Sequence, residues 1–130
     1  MKRLLGLVAA LLLIPSSALA APAAPSGSIA IDQPGPYAFG DAVTFTTSTD
    51  GLKGSQYPMV YVACYQGVEK VWGNLRSPDT VFTLGSGSND WARNGGPADC
   101  EAWLYAYGAK RHGIWVVDYL AGPVLFHAEG

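Results

Sequence analysis

Val60-Tyr61-Val62-Ala63-Cys64-Tyr65 and Ala98-Asp99-Cys100-Glu101-Ala102-Trp103-Leu104-Tyr105 are the two stretches whose reading decides the fold. Both alternate small or aliphatic residues with aromatic or charged ones, and successive side chains of a strand point to opposite faces. Val60, Val62 and Cys64 therefore share one face of the first strand, and Cys100, Ala102 and Leu104 share one face of the second. Both sulfurs fall on the apolar, inward side. The opposite phase carries Tyr61 and Tyr65 on one strand and Glu101, Trp103, Tyr105 and Tyr107 on the other.

Outward from these stretches the chain repeats the same pattern in short runs bounded by Gly, Pro, Asp and Ser. Residues 28–31 place Ile29 and Ile31 inward, and residues 41–47 place Val43 and Phe45 inward with Thr44 and Thr46 outward. The first cysteine strand spans 59–66, and Gly67 turns it into a partner at 68–72. Residues 80–84 put Phe82 and Leu84 on one face, and a Gly/Ser/Asn-rich connection, 85–97, carries Trp91 as an apolar plug. The second cysteine strand, 98–107, leads through a loop at 108–113 into a last strand from Ile114. That strand is expected to break near Ala121-Gly122-Pro123 and resume at 124–127, because proline cannot donate to a central ladder. The count is about seven strands, with no internal repeat and no stretch of helical periodicity, which argues for an all-β antiparallel sandwich or barrel.

The N-terminus reads as an export signal over residues 1–20: Lys2 and Arg3, an apolar run at 4–14, then the small-residue site Ala18-Leu19-Ala20. The apolar run is much shorter than the roughly 20 residues a bilayer span needs, so cleavage and a secreted protein without membrane insertion are expected. Residues 21–27 form a Pro/Ala-rich flexible leader, and the domain is expected over 28–130. Loss of Lys2 and Arg3 leaves six basic residues against ten acidic ones, a net charge of −4. Apart from Lys110-Arg111 the basic residues are scattered, which argues against a nucleic-acid partner, since phosphate binding needs clustered Lys and Arg.

Two inward-facing cysteines in an exported chain predict a Cys64–Cys100 disulfide. Closing a loop of this length is worth about 3.8 kcal/mol on chain-entropy arithmetic. A zinc site would require further ligands at matching spacing, and His112 and His127 do not supply them. An acyl-transfer triad has candidate serines and Asp118, but neither histidine sits in a nucleophile motif. Asp99 and Glu101, considered as a glycosidase pair, both point to solvent, where nothing separates their pKa values. The stretch 85–90 with Asp99 offers oxygen atoms for Ca²⁺ but lacks the regular acidic spacing of a calcium loop. Neither a catalytic residue, a metal site nor a cofactor is expected.

The seven short strands, their turn spacing and the two cysteine strands resemble an immunoglobulin-like sandwich, and Gly40-Asp41-Ala42-Val43-Thr44-Phe45 resembles the second strand of such domains. Segments 60–67, 82–85 and 96–100 are also similar to a group of small secreted bacterial proteins. The cysteine placement departs from the antibody pattern: Cys64 lies on the third strand, and Ala98 occupies the place of the tyrosine two residues before the later cysteine. The resemblance implies architecture and carries no catalytic residue. Function is expected from the outward phase, where Tyr61, Tyr65, Trp103, Tyr105 and Tyr107, with Lys110 and Arg111 of the basic loop beside His112, form a ligand-binding surface. Outer-face rings also stiffen a sheet by stacking across strands, and the sequence leaves both roles open. The expected activity is non-enzymatic recognition of an extracellular protein or cell-surface ligand; a glycan-binding module and a secreted enzyme or enzyme inhibitor are the alternatives.

Overall fold

The computed structural model describes residues 24–130, and of Ala109, Lys110 and Arg111 only the backbone. The expected signal segment, 1–20, and the start of the leader lie outside the described residues. In chain order the elements are β1 (Ser26–Ile31), β2 (Tyr37–Ala38), β3 (Ala42–Val43), β4 (Phe45–Asp50), β5 (Tyr57–Gln66), β6 (Glu69–Arg76), β7 (Phe82–Thr83), α1 (Asn89–Asn94), β8 (Ala98–Arg111) and β9 (Ile114–Glu129). Among the described residues the fold is all-β apart from the turn and a half of α1.

Five strands make the main sheet in the order β2-β9-β8-β5-β6, antiparallel except where β2 runs parallel to the end of β9. The second layer consists of β1 paired with β4 and β3 paired with β7. Only Thr44 separates β3 from β4. Its backbone N–H donates to Gln33 Oε1 at 2.9 Å and its hydroxyl accepts from Gln33 Nε2 at 2.8 Å, so one glutamine holds the kink. Val43, Phe45, Phe82 and Leu84 from this layer meet Val60, Val62, Ala102, Leu104 and Leu120 of the main sheet in one buried cluster. Two β layers enclosing one core are compatible with a β-sandwich.

Cys64 and Cys100 stand directly opposite each other in the β5–β8 register and are bonded, with an S–S distance of 2.01 Å and a Cα–Cα distance of 4.0 Å. That spacing belongs to the narrow, non-hydrogen-bonded type of antiparallel pair, about 4.5 Å across. The bridge therefore joins neighbours within one sheet and lies inside the core, with both cysteines at most 2% exposed.

Beyond shifts of a few residues at strand ends, among them β6 at Glu69–Arg76 in place of 68–72, and the added short strand β2, four differences from the sequence reading bear on the architecture. Ser26 and Gly27, expected in the leader, pair with Asp50 and Thr49 and open the first strand. Gly27 is required there: a Cβ would stand 2.6 Å from the Ser48 carbonyl oxygen and 3.0 Å from Leu104 Cδ2. The 108–113 loop shrinks to His112-Gly113, whose positive φ values of 52° and 80° fit the two-residue turn that matches strand twist. Lys110 and Arg111 are consequently strand residues, opposite Trp115 and Ile114.

The third difference is that β9 does not break at Gly122-Pro123. Ala102 pairs with Val124 and Leu104 with Ala121, so two residues of β9 face Trp103 alone, a bulge where proline's missing N–H is tolerated. A second extra residue, Leu120, enters between Tyr119 and Ala121. Two extra residues restore the alternation, so Tyr119, Leu125 and His127 all face outward. The fourth is the helix α1 inside the 85–97 connection, capped by Ser88 Oγ, which accepts from Trp91 N at 3.0 Å and donates to the Val71 carbonyl. It drives Trp91 into the core at 1% exposure, where the indole N–H donates to the Gly96 carbonyl at 3.0 Å and the ring meets Phe39 edge-on at 5.2 Å.

Neither cysteine should alkylate in folded protein until a reductant is added. The Cys64→Ala/Cys100→Ala double variant should lose about 3–4 kcal/mol in denaturant unfolding, the loop-closure term. Gly122 has φ +112°, and a Cβ there would stand 2.8 Å from the Ala102 carbonyl oxygen. Gly122→Ala should therefore cost about 1–3 kcal/mol by the same measurement, without loss of the disulfide.

Candidate functional site

The register of the main sheet arranges its outer side chains in rows across β6, β5, β8 and β9. At one end the row is Lys70–Tyr65–Asp99–His127. Next comes Gly73–Ala63–Glu101–Leu125, then Leu75–Tyr61–Trp103, with the Gly122-Pro123 bulge at its end. Met59–Tyr105–Tyr119 and Tyr57–Tyr107–Val117 complete the face. The alternation of β5 and β8 makes this face aromatic, and their pairing makes it continuous.

Tyr61, Tyr65, Trp103, Tyr105 and Tyr107, the rings expected from sequence, are thus brought together. Trp103 and Tyr105, two residues apart on β8, lie with ring centroids 6.4 Å apart and planes only 23° apart. Tyr119 closes against both edge-on, at 5.7 Å from Trp103 and 6.4 Å from Tyr105. Tyr57 stacks on Tyr107 at 6.2 Å. Tyr61 leans over Gly73, where a Cβ would stand 2.9 Å from its hydroxyl oxygen; only glycine leaves room for the ring to lie flat there. Lys70 Nζ donates to that hydroxyl at 3.2 Å, which holds the Lys70 pKa above its ordinary value. Burial pushes the Tyr105 and Tyr65 hydroxyls up as well, with the Glu101 charge adding to it at Tyr65.

Several contributors escape a reading built on the cysteine strands. Tyr119, 54% exposed, and Leu125, 73% exposed, come from β9, whose expected interruption hid its phase. Tyr57, Met59 and Leu75 extend the face on β5 and β6. The alternation Trp115-Val117-Tyr119 was the available signal for β9, and the compensating bulges carry it on to Leu125 and His127. Lys110 and Arg111 belong to the same hairpin, but their side chains lie outside the described residues, while His112 is exposed at its turn.

The charged end of the face is internally paired. His127 Nδ1 lies 2.8 Å from Asp99 Oδ1, and Nε2 lies 3.5 Å from Glu129 Oε1. The Asp99 hydrogen bond, and secondarily the charges of Asp99 and Glu129, hold the His127 pKa above its ordinary value. Asp90 pairs with Arg93 on α1, so the carboxylates considered for calcium engage different cations. Among the described residues no three His, Cys, Asp or Glu side chains cluster as a metal site. A groove of about 530 Å³ beside α1, lined by Trp72, Ser86, Ser88, Asn89 and Arg93, is open and polar.

Comparison with protein-family models, with curated proteins and with solved structures found no match. The surface itself therefore carries the functional reading. The rows from Leu75–Tyr61–Trp103 to Tyr57–Tyr107–Val117 hold rings and aliphatic side chains with tyrosine hydroxyls as their polar groups, and the described charges of the face, Lys70, Asp99, His127 and Glu101, gather at the end nearest the disulfide.

Because the folded pKa of His127 is raised, its pairing stabilises the fold below the ordinary histidine pKa of about 6.5 and is lost as pH rises through the folded value. An NMR titration should place the His127 midpoint above about 6.5. Asp99→Asn should bring it down toward that value.

Proposed function

We propose that this chain is a secreted, non-enzymatic recognition module of immunoglobulin-like architecture, and that the outer face of its main sheet binds an extracellular protein or cell-surface ligand. The architecture is supported by strand order: hairpins β5–β6 and β8–β9 lie side by side in one sheet, while β1, β3, β4 and β7 lie in the other layer, as in sandwiches of that class. A bonded cysteine pair fits an oxidising destination.

The observation that carries the function is the continuous patch of Tyr61, Trp103, Tyr105, Tyr107 and Tyr119 on one rigid sheet. Tyrosine and tryptophan combine large contact area with a polar edge and are enriched at the centres of protein interfaces. Tyr119, Val117, Leu125 and Leu75 are more than a third exposed in spite of their apolar surface. Stiffening a sheet needs rings, but it does not need aliphatic side chains held in solvent around them. The same aliphatic rim favours a protein partner over a sugar, whose hydroxyls require hydrogen-bonding groups flanking the stacked ring.

Immobilised protein carrying Trp103→Ala should lose about 2 kcal/mol or more of affinity for a partner captured by the wild-type chain, while its melting curve stays cooperative. Equal capture by both proteins would move the binding surface elsewhere, first to the hairpin turn at His112. Selective binding on a glycan array that Trp103→Ala abolishes would replace the protein partner by a carbohydrate. Turnover in a panel of extracellular hydrolase assays, or inhibition of one of those hydrolases, would replace recognition by the enzyme or inhibitor reading.

A further inference from the structure

We infer that the tip of the β8–β9 hairpin docks on an anionic lipid surface, where Ile114 and Trp115 supply the apolar contact and Lys110 and Arg111 supply the charge. The site is separate from the aromatic face and lies at the end of the sheet away from the disulfide. β5 makes its last pair with β8 at Tyr57–Tyr107, whereas β8 and β9 stay paired out to Arg111–Ile114. On the other side of β9, β2 pairs only with Ala128 and Glu129. Beyond Tyr107 the two strands therefore run on as an arm, with no third strand beside them among the described residues. Residues 108–111 at about 3.3 Å each make it about 13 Å long.

Two properties of the arm point to a membrane. The first is apolar surface on both of its sides. Ile114 and Trp115 are consecutive on β9 and face opposite ways, yet both are exposed, at 71% and 52%. A flat protein partner covers one side of a two-stranded ribbon and leaves the other in water, whereas a lipid layer surrounds a projecting tip. Each side of the arm measures about 130 Å², far below the roughly 800 Å² that a stable protein interface takes from each partner. The second property is charge. No Asp or Glu occurs between Glu101 and Asp118, and Lys110-Arg111 is the one adjacent basic pair after the expected signal segment. In register the pair stands opposite Trp115 and Ile114. Arg111 is about 33 Å along β8 from Glu101, and Asp118 is about 13 Å along β9 from Ile114, both beyond the screening length of about 8 Å at physiological salt. Asp118 also accepts from Gln56 Nε2 at 2.7 Å, and Asp50 at the root is offset by the exposed Lys53 three residues on. A chain that is acidic overall thus presents a tip that is cationic and apolar.

The dimensions fit one leaflet. A headgroup layer is about 6 Å deep on each side of a hydrocarbon core of about 30 Å. The arm is long enough to cross the first and far too short to cross the second, so it docks without spanning. Its strand edges carry backbone N–H and C=O groups that hydrocarbon cannot satisfy, which stops the tip at the acyl boundary. That boundary is where the amphipathic ring of a tryptophan is favoured. The negative surface potential of anionic headgroups falls off within a screening length, so it acts on the charges of the tip and not on the acidic cluster at the far end of the sheet.

Co-sedimentation of the folded, disulfide-bonded protein with phosphatidylcholine vesicles, plain or containing about 30% phosphatidylglycerol, tests the inference. The expected result is binding to the anionic vesicles about tenfold or more stronger than to the plain ones, and weakened by added salt. Lys110→Glu with Arg111→Glu should lower the partition coefficient about tenfold or more. Ile114→Ser with Trp115→Ser should lower it about fivefold or more while melting stays cooperative, since both residues lie beyond the last β5–β8 pair. Tryptophan emission should shift to the blue on binding, and Trp115→Phe should abolish that shift although Trp72, Trp91 and Trp103 remain. Absence of binding, equal binding to plain vesicles, or indifference to either double variant overturns the inference. A loss on Trp103→Ala as large as that on the Ile114/Trp115 double variant would assign the lipid contact to the sheet face and overturn it as well. If the vesicles stay unbound while the immobilised chain captures a protein in a manner that depends on Trp115, the arm serves a protein partner and the lipid inference falls. Recognition through Trp103 stands or falls separately, by its own capture experiment.

Discussion

The pairing of β5 with β8, fixed at Cys64 and Cys100, is the constraint on which the rest of the structure depends. Because side-chain direction alternates along a strand, setting the cysteines opposite each other also sets Val62 against Ala102 and Val60 against Leu104 on the inside. On the outside it sets Tyr61 against Trp103 and Tyr57 against Tyr107. A slip by one residue would send all the rings into the core and the aliphatic side chains into solvent. Hydrophobic burial on the inner face thus selects the register that assembles the aromatic outer face, and the covalent bond removes the alternatives from the unfolded ensemble.

The inner and outer faces answer to different physics. The inner one is filled by small and branched side chains, Val60, Val62, Ala102, Leu104 and Ala106, all fully buried. Their modest size lets the second layer approach closely enough that β1 needs glycine at position 27. The outer face keeps its large residues on the side that no described element covers. Tyr119 and Leu125 remain more than half exposed, and the rings contact one another edge-on and in near-parallel pairs. Large apolar surface held in water is the feature on which the proposed recognition role rests.

Irregularities in β9 serve this arrangement. Gly122-Pro123 and Leu120 each insert a residue opposite β8, and each bulge alone would invert the remainder of the strand. Together they keep Tyr119, Leu125 and His127 on the same face while bending the strand around Trp103. A Cβ at Gly122 would stand 3.2 Å from the Trp103 Cα, so only glycine lets the backbone pass this close to it. The indole is thereby flanked by Tyr105 along its own strand and by β9 beside it, on a support with little freedom to move.

The sequence by itself determined the all-β character, the inward phase of both cysteines, the burial of Val43, Phe45, Phe82 and Leu84, and the outward phase of the rings on 60–65 and 98–107, because each follows from local alternation. It did not determine which strands are neighbours, since pairing is a contact between distant segments and leaves no local mark. The tertiary structure alone placed the bridge within one sheet, carried β9 through Gly122-Pro123 without a break and drew Ser26 and Gly27 into β1. It also folded six residues around Trp91 into a helix, where burial of one indole and a single serine cap outweigh a composition that reads as loop. The aromatic face belongs to both levels: alternation wrote the rings on each strand, and only pairing made them one surface.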